Sequence, residues 1–194
     1  MELRQFFFKY RSYTPIPLVL ILIYFARPKF SGILIGLVFI LLGEATRITA
    51  NRYAGGATRT TKIGAAALCT SGPFAHLRNP LYFGNMLLYT GVVFFAGAPS
   101  VTAMLILTWT FFIIQYSLII SLEEETLVKK FGDEYETFRR HVPRLIPRLT
   151  PWAGPDDRQP RSFQSTLKIE KRTLQNILAI LIVIILRSLL GPAG

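Results

Sequence analysis

Residues 79–125 read NPLYFGNMLLYTGVVFFAGAPSVTAMLILTWTFFIIQYSLIISLEEE. Two apolar runs, Asn79 to Ala98 and Val101 to Leu122, meet at Gly97-Ala98-Pro99-Ser100, where glycine and then proline punctuate the chain. Runs near the roughly 20 residues that carry a helix across a bilayer, joined by so short a turn, predict a helical hairpin. At 1.5 Å rise per residue, about 18 residues go out from Pro80 and about 22 return. Asn79 and Glu123-Glu124-Glu125 therefore come back to the same level. Asn79-Pro80 reads as an N-cap followed by proline at the first helical position, so free backbone N–H groups and the positive dipole end welcome an anion there. Three adjacent carboxylates at a membrane boundary are unfavourable unless they face water or cations, and they cannot all share one helix face. One or two are expected to point inward. A positive helix start opposite inward acids suits a zwitterionic ligand; a solvated helix start balanced by Lys129 and Lys130 is the other reading that spacing leaves open.

Outward from the hairpin lie Ile16 to Ala26, the weakest run, with Pro15 and Pro17 at its start, then Phe30 to Ala45 followed by Arg47, and finally Leu174 to Leu190. The expectation is an all-α integral membrane bundle of about five spans. Hydrophobic residues make up 51% of the chain and mean hydropathy is +0.40, concentrated in these runs, which points to lipid and not to a water-soluble core. The formal net charge is +11, with cations clustered beside the runs where lipid headgroups lie, so nucleic acid is not the expected partner. Cys69 is the only cysteine and there are two histidines, which excludes an internal disulfide and implies no metal site. The N-terminal segment has no small-residue cleavage site, so the first run is read as retained.

Arg4, Lys9 and Arg11 precede the first run, and Arg47, Arg52, Arg59, Lys62 and Arg78 separate the second from the third. The positive-inside bias places these segments, and 123–172, on the cytoplasmic side. Within 123–172, Leu127, Phe131, Tyr135, Phe138 and Val142 recur at helical spacing opposite charged residues, predicting an interfacial amphipathic helix. Pro143, Pro147, Pro151, Pro155 and Pro160 then break regular structure. Three segments follow: 1–71 with the N-terminal spans and a loop, 72–150 with the hairpin and amphipathic helix, and 151–194 with a proline-rich linker and the last span.

The stretch Gly72 to Asn85, followed by Glu123-Glu124-Glu125-Thr126-Leu127, Phe131-Gly132-Asp133-Glu134-Tyr135 and Arg144-Leu145-Ile146-Pro147, resembles the isoprenylcysteine carboxyl methyltransferase and phospholipid methyltransferase superfamily over roughly residues 72–147. Its elements are an Arg-His-Pro-x-Tyr opening of one span, a Glu-Glu pair ending the next, a Phe-Gly-x-x-Tyr helix and an Arg-x-x-Pro ending. Asn79 stands where many relatives have histidine; it cannot titrate in that role, although it can hydrogen-bond and cap. The resemblance implies an S-adenosylmethionine-dependent methyltransferase acting within the membrane on a lipophilic acceptor such as an isoprenylcysteine-type carboxylate. It further implies a cofactor site of His76, Leu77, Arg78, Asn79, Pro80, Tyr82 and Gly84 on one side and Glu123 and Glu124 on the other, facing the cytoplasm. A carboxylate acceptor needs no general base; an amine does, and His76, His141 or a glutamate supplies one.

Candidate catalytic residues are His76, Arg144, Glu44 and Arg47. Glu44 and Arg47, one turn apart, read either as a local ion pair or as an acceptor-headgroup site. Arg144, with His141, reads either as a headgroup anchor or as part of the reacting site. Tyr135 reads as buried on the apolar face of its helix, and the last span as packing or oligomerisation. Alternatives to the first functional reading are a phospholipid amine N-methyltransferase, an NADPH-dependent membrane reductase of the sterol type, and a non-catalytic membrane scaffold.

Overall fold

Pro80 and Gly97 bracket the helix around which the fold is arranged. A computed structural model describes residues 2–55 and 67–191, and among them are seven α-helices: α1 (Leu3–Tyr10), α2 (Ile16–Tyr24), α3 (Phe30–Ala54), α4 (Pro80–Ala96), α5 (Val101–Phe131), α6 (Asp133–His141) and α7 (Phe163–Leu189). Arg59 and Lys62 lie outside the described residues.

The all-α expectation agrees with this architecture, but the span count is corrected. Among the described residues three helices, α3, α5 and α7, are long and apolar enough to cross a bilayer, not about five, and they make the chain a multi-pass membrane protein. α2 has nine residues, about 14 Å of helix, because it starts at Pro15-Ile16-Pro17 and stops before Pro28. α4 has 17 residues, about 26 Å against a hydrocarbon core of about 30 Å, and ends at Gly97 in the left-handed conformation at φ 59°. Counting an apolar run as helix from end to end overstates it wherever proline or glycine trims the ends.

Glycines set how closely α3 and α4 approach. A Cβ on Gly36 would stand 2.6 Å from the Gly91 carbonyl oxygen, and one on Gly43 would stand 2.7 Å from that of Gly84. The two pairs are seven residues apart on each antiparallel helix, so backbone meets backbone along one face, as small residues permit between membrane helices. Gly97 turns the chain, Ser100 caps α5 by accepting the Ala103 N–H at 3.2 Å, and the hairpin returns as expected.

α5 continues through the three glutamates to Phe131, where Gly132, at φ 52°, breaks it from α6. The amphipathic helix expected across 127–142 is thus two pieces. Tyr135, Phe138 and Val142 are buried against Leu68, Phe74 and Trp152, so the protein itself covers this apolar face. Acids open α6 and Arg139, Arg140 and His141 close it, in accord with the helix dipole.

The proline-rich stretch 143–161 is hydrogen-bonded as a strap along the segment before α4. Arg78 N–H donates to the Pro143 carbonyl at 2.9 Å, Arg148 N–H to the His76 carbonyl at 3.0 Å, Trp152 N–H to the Ala75 carbonyl at 2.9 Å, and Arg161 N–H to the Arg52 carbonyl at 2.8 Å. Thr70 N–H donates to the Asp156 carboxylate at 2.9 Å and the Arg158 guanidinium to the Leu68 carbonyl at 2.9 Å. Proline supplies no N–H, so the intervening residues make the bonds.

Candidate functional site

The hairpin brings its two ends together through side chains. Tyr82 Oη, on the first turn of α4, donates to the Glu123 carboxylate, 3.0 Å from each oxygen. Arg78 donates to Glu124 from Nε at 3.1 Å and from a terminal nitrogen at 2.9 Å, while its other terminal nitrogen donates to the Arg139 and Val142 carbonyls at 2.8 and 2.6 Å. Arg144 pairs with the second Glu124 oxygen. Arg78 therefore ties the carbonyl end of α6 to the acid on α5, a site where a cation is favoured twice over. The three glutamates divide as helical geometry requires: Glu123 to Tyr82, Glu124 to the two arginines, and Glu125 outward to Lys129 and Arg4 at 2.9 and 3.1 Å.

Asn79 does not cap α4 with its side chain; its Nδ2 donates instead to the Arg144 carbonyl at 3.1 Å. Pro80 has no N–H and Phe83 N–H donates to the Asn79 carbonyl at 3.2 Å. The helix start thus leaves the Leu81 and Tyr82 amides without intrahelical partners, as the first turn of any helix does. His76 Nδ1 lies 2.9 Å from the Arg148 carbonyl. A carbonyl only accepts, so Nδ1 carries the proton and the lone pair of the neutral ring sits on Nε2.

Other expected site residues fall elsewhere. Leu77 is buried in the core, and Gly84 sits in the α3–α4 contact, where a Cβ would stand 2.6 Å from Arg47 Cγ. Glu44 and Arg47 are both buried on α3. The ion pair of Arg47 among the described residues is not the local one to Glu44 but one to Glu170 of α7, at 2.9 Å. Arg47 also donates to Asn85 and to Thr173 Oγ1, the latter at 3.2 Å, and Asn51 donates to Glu170. Asn85 Nδ2 in turn donates to Tyr116 Oη at 3.0 Å, and the Tyr116 ring packs on Tyr82 with centroids 4.5 Å apart.

Sequence reasoning missed Asn85, Tyr116 and Glu170. The signals were present: Asn85 lies three residues past Tyr82 in an apolar helix, Tyr116 lies seven before Glu123, and Glu170 is the acid nearest the last apolar run.

With that geometry in place, likeness to known proteins becomes informative. The phospholipid methyltransferase model matches residues 31–134, over half the chain and across both sides of the site. The chain belongs to the phospholipid methyltransferase family. Relatives of this family member include the cobalt-zinc-cadmium resistance protein CzcN of Cupriavidus metallidurans, 30% identical over 120 residues, covering 62% of this chain and 51% of the relative. The protein-S-isoprenylcysteine O-methyltransferase of Schizosaccharomyces pombe is 38% identical over 81 residues, 41% of this chain and 33% of the relative. Methanethiol S-methyltransferase 2 of Bradyrhizobium diazoefficiens is 32% identical over 106 residues, 53% of this chain and 38% of the relative. The chain thus spans about half or less of the length of the curated relatives it matches. No solved structure matches it with significance.

Proposed function

We propose that this family member is an S-adenosylmethionine-dependent membrane methyltransferase that methylates a lipophilic acceptor, of the isoprenylcysteine carboxylate type, at the cytoplasmic boundary. The observation that carries the reading is the closure of the hairpin: an uncapped helix start at Leu81 and Tyr82 faces the level of an acid, Glu123, held by Tyr82. That donor set fits a zwitterionic cofactor by charge. Backbone amides at a helix start suit its carboxylate, and Glu123 suits its ammonium or hydroxyl groups. The bound cofactor supplies a methyl group on a sulfonium, already electrophilic, so the protein's task is to align donor and acceptor and to exclude water.

In this reading Glu124 acts through Arg78 and Arg144, since both its oxygens are engaged by them, and it holds the α5 end against the α4 start. His76 presents Nε2 as the available base when the acceptor carries a proton, and Arg144, with its side chain 44% exposed, is the cation placed to meet an acceptor carboxylate. Support for the acceptor class is the likeness to the isoprenylcysteine enzyme, whose 38% identity is the highest among the relatives named.

The test uses the solubilised chain heated with S-adenosylmethionine, S-adenosylhomocysteine or NADPH, because a ligand stabilises the state it binds. The first two are expected to raise the melting temperature; stabilisation by NADPH alone overturns the reading in favour of a reductase. Transfer of a labelled methyl group is then compared for an S-farnesylcysteine analogue, phosphatidylethanolamine and methanethiol. Label in the phospholipid amine and none in the farnesylcysteine carboxylate would replace the acceptor class while keeping the cofactor.

A further inference from the structure

Glu170 has a fully buried side chain on a helix otherwise turned largely toward lipid, and it lies outside the family-matched residues 31–134. A buried carboxylate is unfavourable unless it is paired, and Glu170 is paired. Its contacts form an unbroken chain. Glu170 pairs with Arg47 at 2.9 Å; Arg47 donates to the Asn85 carbonyl oxygen; Asn85 Nδ2 donates to Tyr116 Oη at 3.0 Å; Tyr116 packs its ring on Tyr82 at 4.5 Å; and Tyr82 Oη donates to Glu123 at 3.0 Å. Each link is directional except the ring contact, and there both rings are packed tightly enough to fix each other's plane.

We propose that Glu170 of the C-terminal helix is a positioning residue that sets the orientation of Tyr82, and through it Glu123, by way of Arg47, Asn85 and Tyr116. Arg47 is long and its planar fork has several ways to donate, so Asn85 alone leaves its orientation undetermined. Glu170, with both oxygens facing one terminal nitrogen at 3.1 and 2.9 Å, and Thr173 at 3.2 Å select one. That choice presents the other terminal nitrogen to the Asn85 oxygen, which fixes the Asn85 amide so that its NH2 faces Tyr116. Tyr116 then has its hydroxyl taken as acceptor and its ring held against Tyr82. The C-terminal helix thereby becomes a working part of the site and not only an anchor. The functional consequence rests on the methyltransferase reading above, whereas the coupling itself does not.

The experiment uses the full chain in nanodiscs with tyrosine labelled by carbon-13 at Cζ, the Tyr82 resonance being assigned by its loss in Tyr82→Phe. Glu170→Gln keeps the shape and removes the charge, and it is expected to move the Tyr82 resonance, while Lys171→Gln, exposed on the same helix, leaves it in place. Should Glu170→Gln not fold, Glu170→Asp keeps the charge but shortens the reach by one methylene and is expected to move the same resonance. A Tyr82 resonance unmoved by either folded variant overturns the proposal. Binding of S-adenosylhomocysteine adds a second readout: Glu170→Gln is expected to weaken it about fivefold to tenfold, and by much less in a Tyr116→Phe background, since the chain is already cut there. Equal weakening in both backgrounds overturns the route through Tyr116. If the wild type binds no S-adenosylhomocysteine, the methyltransferase reading fails and the Tyr82 resonance alone decides the coupling.

Discussion

Two charged clusters flank α4, and they are built differently. The deeper one joins Arg47, with its side chain 10% exposed, to a Glu170 that is fully buried, and its partners come from α3, α4 and α7. The outer one joins a buried Glu124 to a buried Arg78 and to Arg144, and of its three members only Arg144, with its side chain 44% exposed, reaches solvent. Charge among packed membrane helices has no water to fall back on, so the deeper cluster is held by the fold. Arg144, at the end of the hairpin, can exchange its protein partner for water or for a ligand. The deeper cluster is therefore expected to govern stability and the outer one to govern binding.

The largest effect that would break this distinction is Arg47→Leu. Removing one member of a buried pair costs about 3–5 kcal/mol, because the other charge is left uncompensated. The expected outcome is a matching loss in unfolding free energy of the micelle-bound chain, much of it recovered when Glu170→Leu is added. A stable Arg47→Leu protein would mean that Glu170 is served by water, and the deeper cluster would be no different from the outer one.

Next in size is Gly43→Ala, which asks whether the deeper cluster depends on the α3–α4 contact. The added Cβ would stand 2.7 Å from the Gly84 carbonyl oxygen and 2.8 Å from the Leu88 nitrogen, both backbone, so the helices must separate. Overpacking of this kind costs about 1–3 kcal/mol. The same separation would lift Arg47 off Gly84, so a loss of stability is expected alongside weaker protection of α3 amides from hydrogen exchange.

Arg144→Ala sharpens the other side of the comparison. Arg144 is exposed, and the buried Glu124 keeps Arg78 as its partner when Arg144 is removed, so the melting temperature should fall less than in Arg47→Leu. Arg144 helps Glu124 hold the α5 end that carries Glu123, and S-adenosylhomocysteine binding is expected to weaken about tenfold by calorimetry when that contact is lost. A large stability loss with unchanged binding would reverse the assignment of the two clusters.

How much of this was legible in the sequence follows from which interactions are local. The hairpin at Gly97 to Ser100, the return of the glutamates to the level of Asn79, and the all-α class all come from composition, rise per residue and turn chemistry, and the structure shows each of them. The span count did not, because the apolar run of residues 16–26 has a helix of only nine residues within it, and α4 stops at 17. The amphipathic face at Tyr135 and Phe138 was visible as a period, but its partner was not: a period shows that a face is covered, not whether lipid or the chain's own strap covers it. Least legible was Arg47, whose nearest acid in sequence is Glu44 but whose ion pair runs to Glu170, 123 residues away. Spacing rules describe neighbours on one helix and say nothing about α7 arriving from the far end of the chain.

The smallest expected effect concerns the strap that backs the outer cluster, and Cys69 reports on it. Burial pushes the Cys69 thiol up to about 11, with nearby Arg158 only partly offsetting it. At pH 8 about one thiol in a thousand is then ionised, against about one in ten for a thiol at 9, and the thiolate is the reactive form. Alkylation of this single cysteine should therefore be slow at neutral pH and rise about tenfold per pH unit to at least pH 10; a plateau near pH 9 would show an open strap. Burial also pushes the Asp156 carboxyl up, but the Thr70 N–H, Ser71 and Arg158 outweigh it and hold the group below its usual range. A carboxyl depressed by folding stabilises above its unfolded value of about 3.9, and that contribution is lost as the pH falls through the lower folded value. Across the alkylation range Asp156 is thus fully engaged, and Asp156→Asn should speed Cys69 labelling by a few-fold while leaving the Arg47–Glu170 pair, and with it the unfolding free energy of the bundle, nearly unchanged. Were the bundle to weaken in step with the strap, the two clusters would form one cooperative unit, and the division between a fixed interior and an exchangeable rim would not hold.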